Sequence, residues 1–342
     1  MKILFRVEAT PELGSGHLMR CLVLAERLKE SISNIDITFI TSSSIVDEQV
    51  KSCDYKLINL PSSKDIIKEI EYYEKYIKNA IFITDIPNIP DDYLKTLKKS
   101  VGSVISIDDG SDTIFYSDIL INPNIYSNVN HKYSSETQYY SGGKYVILKK
   151  AFGKYAVKKK QIKREVKSLF VCFGGSDKNN ITKKVMNIIR NMDINLLIAV
   201  GIMYPYYKEI VKDIKDYRNI QIKRNVHNID ELIYDADLAV ISGGTLLYET
   251  CAVGTPAIVI CQNREQNRES EFFAENNAVI NLGIFDNINE VICRNTIIKL
   301  ISDFNKRKLL SKNAKQLIDE RGADRIVGII LKEIQKGISG QR

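Results

Sequence analysis

Short apolar runs alternate with stretches of helical spacing along most of this 342-residue chain. Runs at 2–7, 36–41, 81–84, 104–107 and 118–121 are rich in β-branched residues, which predicts strands. Between them, 45–52 and 63–78 repeat apolar residues at helical spacing, and Pro90 followed by Asp91-Asp92 reads as a helix start with an acidic first turn. Strand and helix in alternation predict βαβ units and a parallel sheet. The series restarts at 168–173 and continues with strands at 196–200, 220–223, 238–241, 257–261 and 279–282. The fold class expected is therefore α/β, with two Rossmann-like domains of similar size facing across a cleft. Residues 1–150 form the first domain, 151–166 a basic linker and 167–322 the second domain. The last helix, within 323–342, is expected to cross back and pack on the first domain.

Composition narrows the class without changing it. Hydrophobic residues make up 44% and charged residues 27%, a balance that suits globular domains with cores of ordinary size. No apolar run approaches the roughly 20 residues that span a bilayer. The chain enters a strand at once, with no basic, apolar and small-residue series of a secretory leader, so a cytoplasmic location is expected. Six cysteines are scattered through the elements, with neither a CxxC pair nor metal-ligand spacing to histidine, and read as reduced core residues with no metal site. The net charge of +7 is concentrated in 149–164 and the C-terminal segment, without interleaved aromatics. A solvated connector, and no nucleic-acid partner, is the expectation.

Chemistry is expected at three glycine-bearing turns, each between a strand and a helix. Gly14-Ser15-Gly16-His17 opens the first helix, whose Leu18, Cys21, Leu22, Ala25 and Leu28 share one face. Such a turn aims unpaired backbone N–H groups at an anion. A histidine here has its cation disfavoured by the helix N-terminus, which lowers its pKa and keeps a neutral base for activating water or a hydroxyl. In the second domain Gly174-Gly175-Ser176 and Ser242-Gly243-Gly244-Thr245 both follow strands, and two such turns suit a ligand with two phosphates. Thr245 is a candidate cap for a helix that carries Glu249, placed to accept hydrogen bonds from ribose hydroxyls.

Other polar positions fall at the carboxyl ends of strands, where ligands of open α/β sheets bind: Glu8, Asp85, Asp108-Asp109 and Asn122-Pro123-Asn124. Arg20 follows His17 one turn on and joins Asp85 as a candidate substrate contact. Glu265, Gln266 and Asn267, between a buried strand and an apolar helix face, suggest contacts to sugar hydroxyls. His131 lies in a polar loop. His227 precedes Asn228-Ile229, a loop able to touch a nucleotide base through its backbone.

In order and spacing, Gly14-Ser15-Gly16-His17-Leu18-Met19-Arg20-Cys21, Ile107-Asp108-Asp109-Gly110, Asp118-Ile119-Leu120-Ile121-Asn122, Gly143-Lys144-Tyr145, Phe173-Gly174-Gly175-Ser176-Asp177 and Gly243-Gly244-Thr245 with Glu249 form one pattern. The chain resembles the UDP-2,4-diacetamido-2,4,6-trideoxy-β-L-altropyranose hydrolases of pseudaminic acid biosynthesis and the wider group of spore-coat polysaccharide proteins, related to the two-domain GT-B glycosyltransferases. The resemblance implies a nucleotide-sugar hydrolase of surface-polysaccharide biosynthesis that needs no cofactor or metal. His17 would be the base, with Gly14, Ser15, Gly16, Arg20 and Asp85 on the sugar side. Gly174, Gly175, Ser176, Asn228, Ile229, Gly243, Gly244, Thr245 and Glu249 would hold the nucleotide, normally UDP. Two positions depart from the family pattern: Asp85-Ile86-Pro87 replaces an Asp-His-Tyr sequence, and Glu265 precedes Gln266 where the family carries asparagine. The other readings are an inverting glycosyltransferase that aims an acceptor hydroxyl at His17, and a nucleotide-sugar binding module without catalysis.

Overall fold

The computed structural model describes residues 1–10, 13–61, 66–125 and 131–339. The chain divides into two compact units, Met1–Ile147 with Arg321–Arg342, and Leu148–Glu320.

The strands of the first unit are β1 (Lys2–Val7), β2 (Asp36–Thr41), β3 (Lys56–Asn59), β4 (Ile81–Asp85), β5 (Ser103–Ile107), β6 (Ile114–Phe115), β7 (Ile119–Asn122), β8 (Lys132–Tyr133) and β9 (Gln138–Ser141). Seven of them form one parallel sheet in the order β3-β2-β1-β4-β5-β7-β9, and β6 pairs with β8. β1 is buried from Ile3 to Val7 because both its faces are covered. Ile3, Phe5 and Val7 pack with the helix Gly16–Ser31. Leu4 packs on the other face, with Tyr73 of the helix Ile70–Ile77 and Tyr93 of the helix Asp91–Ser100.

Two strands of this sheet escape a reading of apolar runs. β3 and β9 are its edges, half-buried or exposed along their length, so neither shows the continuous apolar signal of a central strand. Of the helix expected at 63–78, residues 63–65 lie outside the described residues, 66–69 form turns, and the helix itself is Ile70–Ile77. The C-terminal helix Gly322–Ser339 is grouped with the first unit. Its Ala323, Ile326, Val327 and Ile330 recur at helical spacing and are buried with Leu18, Leu22 and Ala25. At its start a side chain on Gly322 would run into the backbone at Val146.

The second unit repeats the plan with β10 (Ser168–Cys172), β11 (Asn195–Val200), β12 (Ile220–Arg224), β13 (Leu238–Ile241), β14 (Ala257–Cys261) and β15 (Ile280–Ile284). All six are parallel, in the order β12-β11-β10-β13-β14-β15. In each unit the first strand sits between the second and a later one, so the chain's progress across the sheet reverses beside it. That reversal is where ligands bind in open α/β sheets.

Most charged side chains of the basic stretch 151–166 are exposed, as a solvated connector requires, but part of the stretch is folded against the second unit. Lys150–Ala156 is a helix, and Tyr155 stacks on Tyr234 with ring centroids 4.5 Å apart. Lys160 is turned inward and donates to the carbonyls of Tyr234 and Ala236, and burial brings its pKa down to about 8. The fully buried Arg307 donates to the carbonyls of Lys163 and Arg164, at 3.0 and 2.8 Å. Backbone carbonyls and apolar stems explain the burial, and neither is visible in a count of charges. Five of the cysteines are buried, and Cys53 is exposed.

Candidate functional site

In the first unit the site begins with sheet register. β1 and β4 are hydrogen-bonded neighbours in which Val7 faces Asp85, so the chain leaving β1 starts beside the end of β4. It turns through a loop in which Gly14, at φ +74°, donates its N–H to the Thr10 carbonyl at 2.8 Å. Glycine tolerates that left-handed backbone without strain. Ser15 then caps the helix Gly16–Ser31 without a side-chain hydrogen bond, so among the described residues the first-turn N–H groups have no side-chain acceptor.

His17 and Arg20, one helical turn apart, both reach Asp85. His17 Nδ1 is 2.7 Å from Asp85 Oδ1, Arg20 Nε donates to Oδ2 at 2.5 Å, and Arg20 Nη2 donates to Oδ1 at 2.6 Å. The Cys21 thiol approaches Oδ2 at 3.5 Å. Asp85 is 1% exposed and both its oxygens are filled by these donors. It thus holds His17 and Arg20, and Arg20 in turn bonds carboxylates on both sides. An ionised carboxylate only accepts, so it assigns the hydrogen to Nδ1 and leaves the Nε2 lone pair as the basic position. Among the described residues nothing bonds Nε2.

The electrostatics reverse one expectation. Burial is the largest single influence on His17 and would lower its pKa, as would Arg20, but the Asp85 charge, the hydrogen bond to Asp85 and the Asp109 charge together outweigh them, and the pKa is raised. A carboxylate in direct contact acts more strongly than a helix terminus. Asp85 is buried too, which favours its neutral form, yet Arg20 and His17 hold its pKa well below the usual carboxylate range.

The second unit has the corresponding juxtaposition. β10 and β13 are neighbours, with Cys172 facing Ile241 and the Ser242 N–H donating to the Cys172 carbonyl at 3.2 Å. The turns Gly174-Gly175-Ser176 and Ser242-Gly243-Gly244 therefore emerge side by side. Gly174 has φ +84°. Asp177 anchors the first turn: its carboxylate accepts from the N–H groups of Ile181 and Thr182 at 3.0 and 2.8 Å, capping the helix Ile181–Ile189. Thr245 is not a cap. Gly244 occupies that position without a side-chain hydrogen bond, and Thr245 is the exposed first residue of the helix Thr245–Val253.

Glu249 lies in that helix, only 6% exposed. Burial pushes its pKa up to about 7 against the pull of Lys149, with Asp230 adding to the rise. Among the described residues its carboxyl makes no hydrogen bond, which leaves a buried acceptor open.

Arg264–Glu275 is one helix, so Glu265, Gln266 and Asn267 form its first turn and not a loop before it. Glu265 is exposed. Gln266 Oε1 accepts from the Gln262 N–H at 2.9 Å, and its Nε2 lies against Gly244, where an added Cβ would stand 3.4 Å away. Asn267 accepts from Asn281 Nδ2 at 2.9 Å and donates to Glu271 at 2.7 Å. Asn228 caps the helix Ile229–Asp235, with its side chain donating to Glu231 at 2.8 Å. Around it an open hollow of about 670 Å³ is lined by Lys154, Arg224, Val226, His227, Asn228 and Asp230 among others.

Three neighbours of these groups have partners that local sequence does not reveal, and Gln262 alone of them carries no sequence signal. Asp109 grips Arg20 Nη1 with both oxygens, at 2.7 and 2.8 Å. His131 stands in a loop, as expected, but is buried there, with Nε2 2.8 Å from Asp108 Oδ2. Gln262 Nε2 donates to the Phe173 carbonyl at 2.6 Å and links β14 to the first glycine turn. Among the described residues no group of three or more His, Cys, Asp or Glu is arranged to hold a metal ion, and no helix is long and apolar enough to cross a membrane.

Similar structures define the class: α/β, with two Rossmann-like domains in a GT-B fold. Acinetobacter baumannii MurG aligns with TM-score 0.66 at 12% identity, over 97% of this chain and 99% of its own. HepE of Anabaena, in complex with UDP-glucose, aligns with TM-score 0.61 at 11% identity, over 97% and 99%. WaaG, a glycosyltransferase involved in lipopolysaccharide biosynthesis, aligns with TM-score 0.57 at 12% identity, over 96% and 99%. The family model "Protein of unknown function (DUF354)" matches residues 124–326, and the chain belongs to that family. An uncharacterized protein of Methanocaldococcus jannaschii is 32% identical over 280 residues, 78% of this chain; the match spans 57% of that relative's length. The spore coat polysaccharide biosynthesis protein SpsG of Bacillus subtilis is 26% identical over 93% of this chain and 94% of its own. The UDP-2,4-diacetamido-2,4,6-trideoxy-β-L-altropyranose hydrolase of Campylobacter jejuni is 26% identical over 80% of this chain and 97% of its own.

Proposed function

We propose that this protein is a nucleotide-sugar hydrolase of polysaccharide biosynthesis, with His17 as its base. The observation that carries the reading is the His17–Asp85 pair at the start of the first helix, with Nε2 unbonded among the described residues. The name of the Campylobacter relative supports a sugar-nucleotide substrate, and that of the Bacillus relative supports polysaccharide biosynthesis.

In this mechanism His17 Nε2 takes a proton from water as the water oxygen bonds to the anomeric carbon. The bond from that carbon to the diphosphate breaks, and its electron pair leaves on the nucleotide. Asp85 keeps the ring oriented and stabilises the imidazolium that forms. The adjacent glycine turns of the second unit receive the diphosphate on backbone N–H groups, those at the start of Thr245–Val253 among them, which offsets the leaving charge. Glu249 accepts from the ribose hydroxyls, and the base rests in the hollow beside Asn228 and Ile229. Gln266, whose Nε2 lies beside Gly244, meets the sugar, with Asn267 braced behind it by Asn281 and Glu271; Glu265 is exposed on the same helix turn.

The test is incubation with UDP- and CMP-linked amino sugars in oxygen-labelled water, without acceptor. Free sugar labelled at C1, lost in His17→Ala, is the expected result. Donors that bind but stay intact would exclude the hydrolase and favour a transferase; binding unaffected by His17→Ala, with no turnover under any acceptor, would favour a binding module.

A further inference from the structure

Asp85 faces two cationic partners, and this raises the question of how it remains a partner for His17. Arg20 commits Nε and Nη2 to Asp85, and its Nη2 is 3.0 Å from His17 Nδ1. A guanidinium so placed neutralises the carboxylate and repels a protonated imidazole. The opposing charge is Asp109, whose two oxygens hold Arg20 Nη1 from the other side.

Resting on the reaction proposed above, we infer that Asp109 is a positioning residue for it: by holding and balancing Arg20, it preserves the Asp85 carboxylate for the His17 imidazolium. The charges facing His17 are Arg20 from its own helix, Asp85 from β4 and Asp109 from the loop after β5, with the Cys21 thiol against Asp85. With Asp109 present, the other three ionic groups sum to a single negative charge, which proton uptake by His17 cancels. Without Asp109 the same uptake leaves an uncompensated positive charge in a largely buried cluster.

The loop is built to hold Asp109 in place. Asp108 Oδ2 accepts from the N–H groups of Gly110 and Ser111, both at 2.7 Å, and pairs with His131. Asn124 Nδ2 donates to the Asp109 carbonyl at 2.8 Å.

The experiment follows the His17 imidazole by NMR across pH in the full chain, with His17→Ala assigning its signal among three histidines. Asp109→Asn is expected to move the His17 midpoint to lower pH, and Asp109→Glu to restore it. Nucleotide release should show the same displacement in its acid limb, with kcat reduced more than KM is raised. An unchanged His17 midpoint in folded Asp109→Asn overturns the inference, and so does a displaced midpoint that Asp109→Glu fails to restore. Absence of nucleotide release from the wild type overturns the reaction, whereas the titration still decides whether Asp109 controls His17.

Discussion

His17 Nδ1 lies 2.7 Å from Asp85 Oδ1 across 68 residues of sequence, at a point where two neighbouring parallel strands end together. Asp85→Asn removes the charge that orients and raises the imidazole. Activity in nucleotide release is expected to fall roughly 10²- to 10⁴-fold, the range for a positioned general base. The same variant leaves Arg20 facing a neutral amide in a buried site and should lose about 3 kcal/mol of stability at neutral pH, read by denaturant titration. Asp85 has a lowered folded pKa, so its contribution is present above its ordinary value of 3.8 and lost as pH falls through the folded value. A stability difference that fails to shrink in acid would separate the effect from the ion pair.

For His17 the sign is opposite. Its folded pKa is raised above the ordinary 6.5, so the pair's contribution through His17 is complete below 6.5 and is lost as pH rises through the folded value. Catalysis by its neutral form should therefore decline on the acid side with a midpoint above 6.5, measured as kcat/KM for nucleotide release. A midpoint below 6.5 would mean that burial and Arg20 outweigh Asp85 and Asp109.

Glu249 predicts an exchange of stability against binding. Its pKa, pushed up to about 7 from 4.5, means that ionisation works against the fold as pH rises from 4.5 through about 7. Glu249→Gln should stabilise the protein at pH 8, by about 3 kcal/mol at most, and leave it unchanged near pH 4. Calorimetry with UDP should show Glu249→Ala weakening binding by about 1–3 kcal/mol. Unaltered affinity would remove Glu249 from the nucleotide.

Gly243 has no room for a side chain. A Cβ there would stand 2.5 Å from Ser270 Oγ, 2.9 Å from the Gln266 carbonyl and 3.0 Å from Cys261 Sγ. Gly243→Ala should cost about 1–3 kcal/mol in thermal unfolding and displace the helix that carries Gln266. Wild-type stability would mean that the helix can move away freely.

Asp177→Ala strips two backbone N–H groups of their acceptor at the start of Ile181–Ile189. A loss of about 1 kcal/mol is expected in denaturant unfolding, together with weaker nucleotide binding because the adjoining glycine turn loosens. Retained affinity would show that the turn holds itself.

The central strands, the glycine turns and the helix faces were legible in the sequence because each depends on neighbours a few residues away. Ile3, Phe5 and Val7 announce a buried strand, and Leu18, Leu22 and Ala25 announce a helix face, whatever surrounds them. The edge strands β3 and β9 were not legible, since half-exposed positions carry weak apolar patterning. The inward turn of Lys160 was hidden for a different reason: its partners are carbonyls of residues 234 and 236, far along the chain.

At the site the division is sharper. Local sequence determined that His17 starts a helix behind a glycine turn, and that Gly174, Gly175, Gly243 and Gly244 lie in turns following strands. Tertiary structure alone decided that β4 stands beside β1 and β13 beside β10, which brings Asp85 to His17 and one glycine turn to the other. It also placed Asp109 on Arg20 and reversed the expected direction of the His17 pKa. The physical reason is range: a helix terminus or turn acts within a few residues, whereas a charge acts on whatever the fold places within a few ångströms.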